Sequence, residues 1–451
     1  MRIFCEGLNL LHSFYQGQRP SWPNVGGGMA AGFGMSAGLR VGYKQTEVGV
    51  IPEDWAVSGL AQLADIRGGI AKNENVAVSD PVSVHYLRVA NVQDGYLSLS
   101  EMSKIQLSRK DLARYTVLPG DVLMNEGGDL DKLGRGAIWR GEFNPCVHQN
   151  HVFVVRCKEN LLPDYLNVWT ATSAARRFFL LAGKQTTNLA SISKSSLGHL
   201  LVAVPMPEEQ RAIAAALSDV DALLGGLERL IAKKQGLKVA AIQQLLTGQT
   251  RLPGFSGEWE VKRLGDVADI DPDNLGSNTP NDYEFNYISL EDVDCGVLAG
   301  HSEQVFKIAP SRARRKLKLG DVLVSTVRPN LQSHLLFQID APHWICSTGF
   351  AVVRCRAGVT NPAYVFPHLF DSGVTRQIET LLTGSNYPAV NSKDVRALVI
   401  PIPPYAEQTA IASVLSDMDT ELAALQARRS KTQALKLAMM QELLTGRIRL
   451  V

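Results

Sequence analysis

The chain repeats itself, and that repeat limits what it can fold into more than any single motif does. Pro205-Met-Pro-Glu-Glu-Gln-Arg-Ala-Ile-Ala-Ala-Ala-Leu-Ser-Asp-Val-Asp221 aligns without a gap on Pro403-Pro-Tyr-Ala-Glu-Gln-Thr-Ala-Ile-Ala-Ser-Val-Leu-Ser-Asp-Met-Asp419, at an offset of 198 residues. The offset continues through Leu245-Leu-Thr-Gly248 on Leu443-Leu-Thr-Gly446, then through Arg251-Leu252 on Arg449-Leu450. Looser anchors precede each copy. Trp55 and Ala64-Asp-Ile66 echo Trp259 and Ala268-Asp-Ile270; Gly120-Asp-Val-Leu123 echoes Gly320-Asp-Val-Leu323; Val154-Val-Arg-Cys157 echoes Val352-Val-Arg-Cys355. Between the anchors the copies differ almost completely. The chain therefore reads as variable domain, similar helix, variable domain, similar helix.

The similar segments carry a coiled-coil signature. In the first, Ile213, Leu217, Val220, Leu224, Leu227 and Ile231 alternate at four-three spacing. The second offers Ile411, Leu415, Met418, Leu422 and Leu425, then departs at Arg429. Each helix should run for about 40 residues, roughly 60 Å, and stop at Thr-Gly, where Gly can take the left-handed cap. Gly225-Gly226 inside the first helix reads as a point of close helix packing, with a hinge as the alternative. One apolar stripe on so long a helix needs a partner. If the two stripes cover each other in an antiparallel coiled coil, the variable domains sit at opposite ends in a pseudo-two-fold particle.

The variable units read as mixed α/β, and the chain as α+β. Apolar runs such as His151-Val-Phe-Val-Val-Arg156 and Phe350-Ala-Val-Val-Arg354 are strands. Pro163 and Pro362 sit where a helix could begin. The boundaries follow from the repeat: an atypical N-terminal extension at 1–42, a first domain at 43–204, a helix at 205–252, a second domain at 253–402 and a final helix at 403–451.

Composition excludes several classes. Forty-six Lys and Arg against 44 Asp and Glu give +2 overall, so any nucleic-acid surface must be local. Six scattered cysteines without a C-x-x-C pair suggest neither zinc nor a disulfide scaffold. No apolar run is long enough to span a membrane. The Gly-rich stretch from Val25 lacks the continuous apolar segment of a secretory signal. No phosphate-binding Gly-x-x-x-x-Gly-Lys-Ser/Thr loop occurs. Pro403-Pro-Tyr405 is like a methyltransferase Pro-Pro-Tyr loop, but Ile402 ahead of it cannot accept the hydrogen bond from a target amino group; a rigid helix start is the simpler account. Asp121 and Asp321 could be nuclease carboxylates, yet no Glu-x-Lys follows either, and a turn residue before a strand fits better.

The polar loops point to DNA. The first domain offers Lys132, Arg135, Gln149, Asn150, Lys184, Gln185 and Asn188. The second offers Arg312, Arg314, Arg328, Asn330, Gln332, Ser385 and Asn386. Arg can bridge guanine O6 and N7, and Asn or Gln can bridge adenine N6 and N7; Lys and Arg neutralise phosphates. For any one residue a solvated loop explains as much. As a set, at equivalent places in two divergent domains, they favour contact with DNA. Lys233 and Lys234 on the helix read as solvated or partner-facing.

Tyr43-Lys-Gln-Thr-Glu-Val-Gly-Val-Ile-Pro-Glu-Asp-Trp55, the Pro-x-x-x-Glu-Gln helix starts and the Leu-Leu-Thr-Gly endings resemble type I restriction-modification specificity subunits. The resemblance covers roughly residues 43–451. It implies that each variable domain reads one half of a split double-stranded DNA target. It also implies that the helices act as a ruler and dock two methyltransferase subunits, with two restriction/translocase subunits in the full complex. Such a chain is cytoplasmic, performs no catalysis and carries no cofactor or metal; S-adenosylmethionine, ATP and magnesium belong to the partners. Residues 1–35 fall outside the resemblance; the expectation is a misassigned start codon, with Met35 or Met29 as the real one, and the alternative is a genuine flexible leader. Two alternatives follow from the residues alone: a non-DNA interaction protein with duplicated binding domains, and a fused restriction enzyme that methylates by itself. The absence of methyltransferase motifs argues against the second.

Overall fold

In the computed structural model the described residues are 40–71, 80–128, 133–134, 136–185, 190–382 and 389–450. The two similar segments are continuous helices, Pro207–Leu246 of 40 residues and Tyr405–Leu443 of 39. Neither has a side-chain N-cap; Pro207 lies in the first turn of one, and Pro404 immediately precedes the other. Gly248 and Gly446 follow the helix ends at φ +70° and +66°, the left-handed conformation that stops a helix.

The helices pack against each other antiparallel, and their ion pairs show the register. Asp221 pairs with Lys436 at 2.6 Å, Glu228 with Arg429 at 2.7 Å, and Lys234 with Glu421 at 2.8 Å. One residue number rises as the other falls. Lys238 pairs with Asp419, and the 198-residue offset turns this pair into Lys436 with Asp221. The two bridges are therefore mates across a pseudo-two-fold axis. Ile213, Leu217, Val220, Leu224, Leu227, Ile231, Ile411, Leu415 and Leu422 are buried, while Met418 and Leu425 are half-buried. Beyond Leu425 the second helix turns polar, with Arg429 and Lys436 reaching across to acids and Thr432 buried between them in sequence.

Gly225 and Gly226 correct the sequence reading. A Cβ on Gly226 would meet nothing within 4 Å, and one on Gly225 would meet only Arg229 of its own helix, at 3.5 Å. No close helix packing requires them.

Each domain stacks a helical layer, a four-stranded antiparallel sheet and a second sheet. The main sheet of the first runs Ala64–Arg67, Val152–Cys157, Val122–Asn125, Gly136–Ile138; that of the second runs Ala268–Ile270, Phe350–Cys355, Val322–Ser325, Leu335–Leu336. Their inner strands are apolar without alternation because both faces are covered. Val122, Met124, Phe153 and Val155 face Tyr165, Leu166 and Trp169 of the helix Pro163–Trp169. Leu123, Val152 and Val154 face Leu87, Val92, Trp139 and Cys146 beneath the second sheet. Each such side chain contributes about 1.5–3 kcal/mol by burial. In the second sheets a parallel pair, Cys146–His148 on Val82–Leu87, has its counterpart in Trp344–Ser347 on Glu284–Ile288.

Two motifs that only looked like repeat landmarks turn out to be braces. Asp121 and Arg156 form a two-pronged pair at 2.7 Å, and Asp321 and Arg354 repeat it at 2.8 and 2.7 Å. Each carboxylate also accepts from a turn amide, of Leu118 or Lys318, at 2.8 Å. The hydrogen bond to Asp121 raises the already high pKa of Arg156.

The Glu-Gln at each helix start joins domain to helix. Gln210 accepts from the Leu162 amide and donates to the carbonyls of Asn160 and Pro205; Gln408 does the same with Asn361, Val359 and Pro403. Glu209 accepts from the Trp55 indole at 3.0 Å and from Arg449; Glu407 accepts from the Trp259 indole at 3.2 Å and from Arg251. The first domain is thus held by the start of one helix and the tail that follows the other. Its core includes Ile213, Leu217, Leu443 and Leu444, while the second domain's core includes Leu245, Leu246, Ile411 and Leu415. The domains occupy opposite ends of the helix pair.

Candidate nucleic-acid interface

Three segments meet at one end of each main sheet, and the same backbone bonds join them in both domains. In the first, the Glu126 amide donates to the His151 carbonyl at 3.0 Å, and the Ile192 amide donates to the Glu126 carbonyl at 2.9 Å. In the second, the Thr326 amide donates to the Gly349 carbonyl at 2.8 Å, and the Val390 amide to the Thr326 carbonyl at 2.9 Å. Polar loops far apart in sequence thus share one surface per domain: 126–128, 149–151, 184–185 and 190–192 in one, 325–332, 347–349 and 389–391 in the other.

Several sequence-selected residues lie on this end. Lys184 is exposed on the strand Lys184–Gln185, which pairs with Ala190–Ser191 and through it with Gly127–Gly128. Gln149 is half-buried, its Oε1 accepting from the Val89 amide at 3.4 Å. Asn150 is half-buried beside exposed His151, 3.3 Å between the side chains. Arg328 and Asn330 are exposed and Gln332 is half-buried, around the short 3-10 turn Pro329–Leu331. Arg328 and Gln332 both take left-handed backbone, at φ 49° and 52°. Such angles cost energy in a non-glycine residue and concentrate in segments shaped for contact.

Other candidates sit differently. Arg312 is exposed just behind the end, its carbonyl accepting from the Thr348 amide at 2.8 Å. Arg314 stands further back on the strand Ala313–Lys316, its guanidinium 4.9 Å from the centre of the Phe306 ring. Lys132, Arg135, Asn188, Ser385, Asn386 and the side chain of Gln185 lie outside the described residues. His148, in the same sequence cluster as Gln149, is a core residue: it is 2% exposed, Nδ1 lies 2.7 Å from the Val152 carbonyl, and burial pushes its pKa down. Lys234, read as solvated or partner-facing, pairs with Glu421 of the other long helix.

Sequence reading missed Arg114. Gly120-Asp121 and Gly320-Asp321 align at an offset of 200, which places Ala113-Arg114 on Ala313-Arg314. The backbone agrees: the Val117 amide donates to the Cys146 carbonyl and the Leu317 amide to the Trp344 carbonyl, each at 2.9 Å. Extending the Gly-Asp alignment backwards by seven residues would have found the residue.

Among the described residues no group of His, Cys, Asp and Glu is arranged to hold a metal ion, and no helix is long and apolar enough to cross a membrane.

Comparison with known proteins agrees with the motifs. Residues 256–433 match the family described as type I restriction modification DNA specificity domain. The chain is 26% identical over 425 residues to a putative type I restriction enzyme MjaX specificity subunit of Methanocaldococcus jannaschii, covering 90% of this chain and 96% of the relative. Its fold is similar to a solved chain of a type I R-M system, with a TM-score of 0.54 at 18% identity over 88% of this chain and 99% of that one. It is also similar to the type I restriction-modification S subunit from M. genitalium, with a TM-score of 0.52 at 13% identity over 86% and 96%. Residues 256–433 match that specificity-domain family, and the repeated motifs extend the likeness to type I restriction-modification specificity subunits over the rest of the repeat.

Proposed function

We propose that this chain reads a two-part sequence in double-stranded DNA, one part per domain, and performs no chemistry itself. The observation that carries the reading is the three-segment end, built twice by the same backbone bonds and presented at opposite ends of one helix pair. Two recognition surfaces at a fixed separation suit two half-sites at a fixed spacing. The carboxylates that could have served a nuclease, Asp121 and Asp321, are occupied by Arg156 and Arg354.

Methylation and cleavage then belong to partners: two methyltransferase subunits docked along the helices, and two restriction/translocase subunits in the full assembly. S-adenosylmethionine, ATP and magnesium are carried by those partners. The complex works in the cytoplasm, where its DNA lies.

The test is methylation mapping of the host genome with and without this gene, combined with in vitro assays of the purified chain. Deletion should abolish methylation at one bipartite motif, and the chain alone should transfer no methyl group. An unchanged methylome in the deletion strain, or donor-dependent methylation by the chain alone, would overturn the reading.

A further inference from the structure

Most arginines that brace this fold face a carboxylate: Arg156 faces Asp121, Arg354 faces Asp321, Arg251 faces Glu407 and Arg449 faces Glu209. Arg114 and Arg314 do not. Among the described residues neither guanidinium has an acidic partner, and each lies over an aromatic face instead. Arg114 is 5.2 Å from the centre of the Tyr115 ring and Arg314 is 4.9 Å from that of Phe306. A ring face holds a guanidinium in place but leaves its charge uncancelled; Arg314 Nη1 donates to the Ala313 carbonyl at 2.8 Å, and its other N–H groups remain for an anion.

The two residues are equivalents, although their surroundings differ. Arg114 ends the helix Arg109–Tyr115 and is exposed, whereas Arg314 lies on a strand and is half-buried. The aromatic comes from the next residue in one case and from eight residues earlier in the other. Between the domains, the charge and its aromatic rest persist while the local structure that supplies them changes. Both segments flank the strand that leads into the recognition end. Thr116 bridges to Val147, two residues before Gln149, and Lys316 pairs with Ile345, three residues before Thr348.

We infer that Arg114 and Arg314 are matched contacts to the DNA phosphate backbone, one in each domain, which seat each recognition end on its half-site without reading bases. The inference rests on the DNA-reading function proposed above. A backbone contact suits residues shared by two domains that read different sequences, because phosphates are the same at every site.

The experiment measures duplex affinity across a salt series, using the full chain in complex with its partner subunits. Arg114→Gln and Arg314→Gln should each weaken binding several-fold at low salt, equally on target and unrelated duplex. Each should lower the slope of log affinity against log salt by about one, and the double variant by about two. Arg→Lys at either position should restore the slope. Phosphate-ethylation interference should lose contacts at one half-site with Arg114→Gln and at the other with Arg314→Gln. The methylated motif should not change. An unchanged salt slope in both Gln variants, or a changed motif, would overturn the inference while leaving the reading function standing. A wild-type complex that binds no DNA would overturn the reading function and this inference with it.

Discussion

Glu209 and Arg449 stand 240 residues apart in sequence, yet the Arg449 guanidinium donates to the Glu209 carboxylate at 2.8 Å. The contact closes the molecule. Glu209 begins the first long helix, Arg449 follows the second, and Trp55 of the first domain donates to the same carboxylate. Arg449 also holds Asp54 at 2.8 Å, and this hydrogen bond keeps the Asp54 carboxyl below its ordinary pKa. Arg251, Glu407 and Trp259 repeat the arrangement for the second domain.

This symmetry makes a paired prediction. Arg449→Ala leaves the buried Glu209 with only an indole, and removing one partner of a buried ion pair costs several kcal/mol. Because the Arg449 side chain is 31% exposed, we expect a loss of about 2 kcal/mol. The loss should appear in the first domain, as faster amide exchange around Trp55. Arg251→Ala should produce the corresponding change around Trp259. If either variant loosened both domains equally, the two junctions would not be independent.

Gly225 and Gly226 offer the opposite effect. Their counterparts at the 198-residue offset are Ala423 and Ala424, and the space around Gly226 is open. Alanine avoids the conformational cost of glycine in a helix, worth roughly 1 kcal/mol per site. Gly226→Ala should therefore raise the midpoint of chemical denaturation, with Gly225→Ala close behind. A lower midpoint for Gly226→Ala would show that the helix needs glycine there after all.

Acid should weaken the second domain. Burial pushes the pKa of His334 and of His368 down to about 4 from an ordinary 6.5. Both are neutral in the fold, and the Nε2 of His368 is buried without a hydrogen-bond partner. The sign follows from proton counting: between pH 6.5 and 4 the unfolded chain binds protons that the folded chain does not. Stability is full above about pH 6.5 and falls as pH drops towards 4, by a few kcal/mol for each group. Urea denaturation of the unaltered chain at stepped pH, followed by amide exchange in the second domain, should show the decline. His368→Phe should flatten it, and an equally steep decline in that variant would remove His368 from the account.

Local periodicity carried the long-range architecture. Ile213 to Ile231 and Ile411 to Leu425 disclosed the helices, their length and their need for each other, because a four-three stripe has meaning within a single segment. Glu209 could not be read in that way. Its partners Trp55 and Arg449 lie 154 and 240 residues away, and only chain closure brings them together. His148 stands beside the polar Gln149 and Asn150 in sequence, yet its side chain turns inward to the Val152 carbonyl, a direction that the local sequence does not disclose. Arg114 escaped because loops were chosen for clustered polarity, and Leu112-Ala-Arg-Tyr-Thr116 shows little; its equivalence to Arg314 is a property of register. The Gly225-Gly226 reading failed because glycine in a helix is consistent both with a close neighbour and with none.

The spacing between half-sites should follow the length of the helix pair. Inserting one heptad after Leu227 and another after Leu425 keeps each apolar stripe in line to within about 20°. The positions suit insertion because Leu227 is buried in the seam, Leu425 is half-buried, and Asp221–Lys436 and Lys234–Glu421 on either side retain their partners. Glu228–Arg429, between the two insertion points, is separated. Each helix lengthens by roughly 10 Å, equivalent to about 3 base pairs at 3.4 Å each. Those base pairs also rotate the far half-site by roughly 100° at about 10.5 per turn, so one domain must swivel and activity should fall. The measurement is the methylated motif produced by the lengthened chain with its methyltransferase partners. A spacer longer by about 3 base pairs is the expected outcome. Robust activity with the original spacer would mean that contacts other than the helix pair, such as Arg449 on Glu209 and Arg251 on Glu407, set the distance.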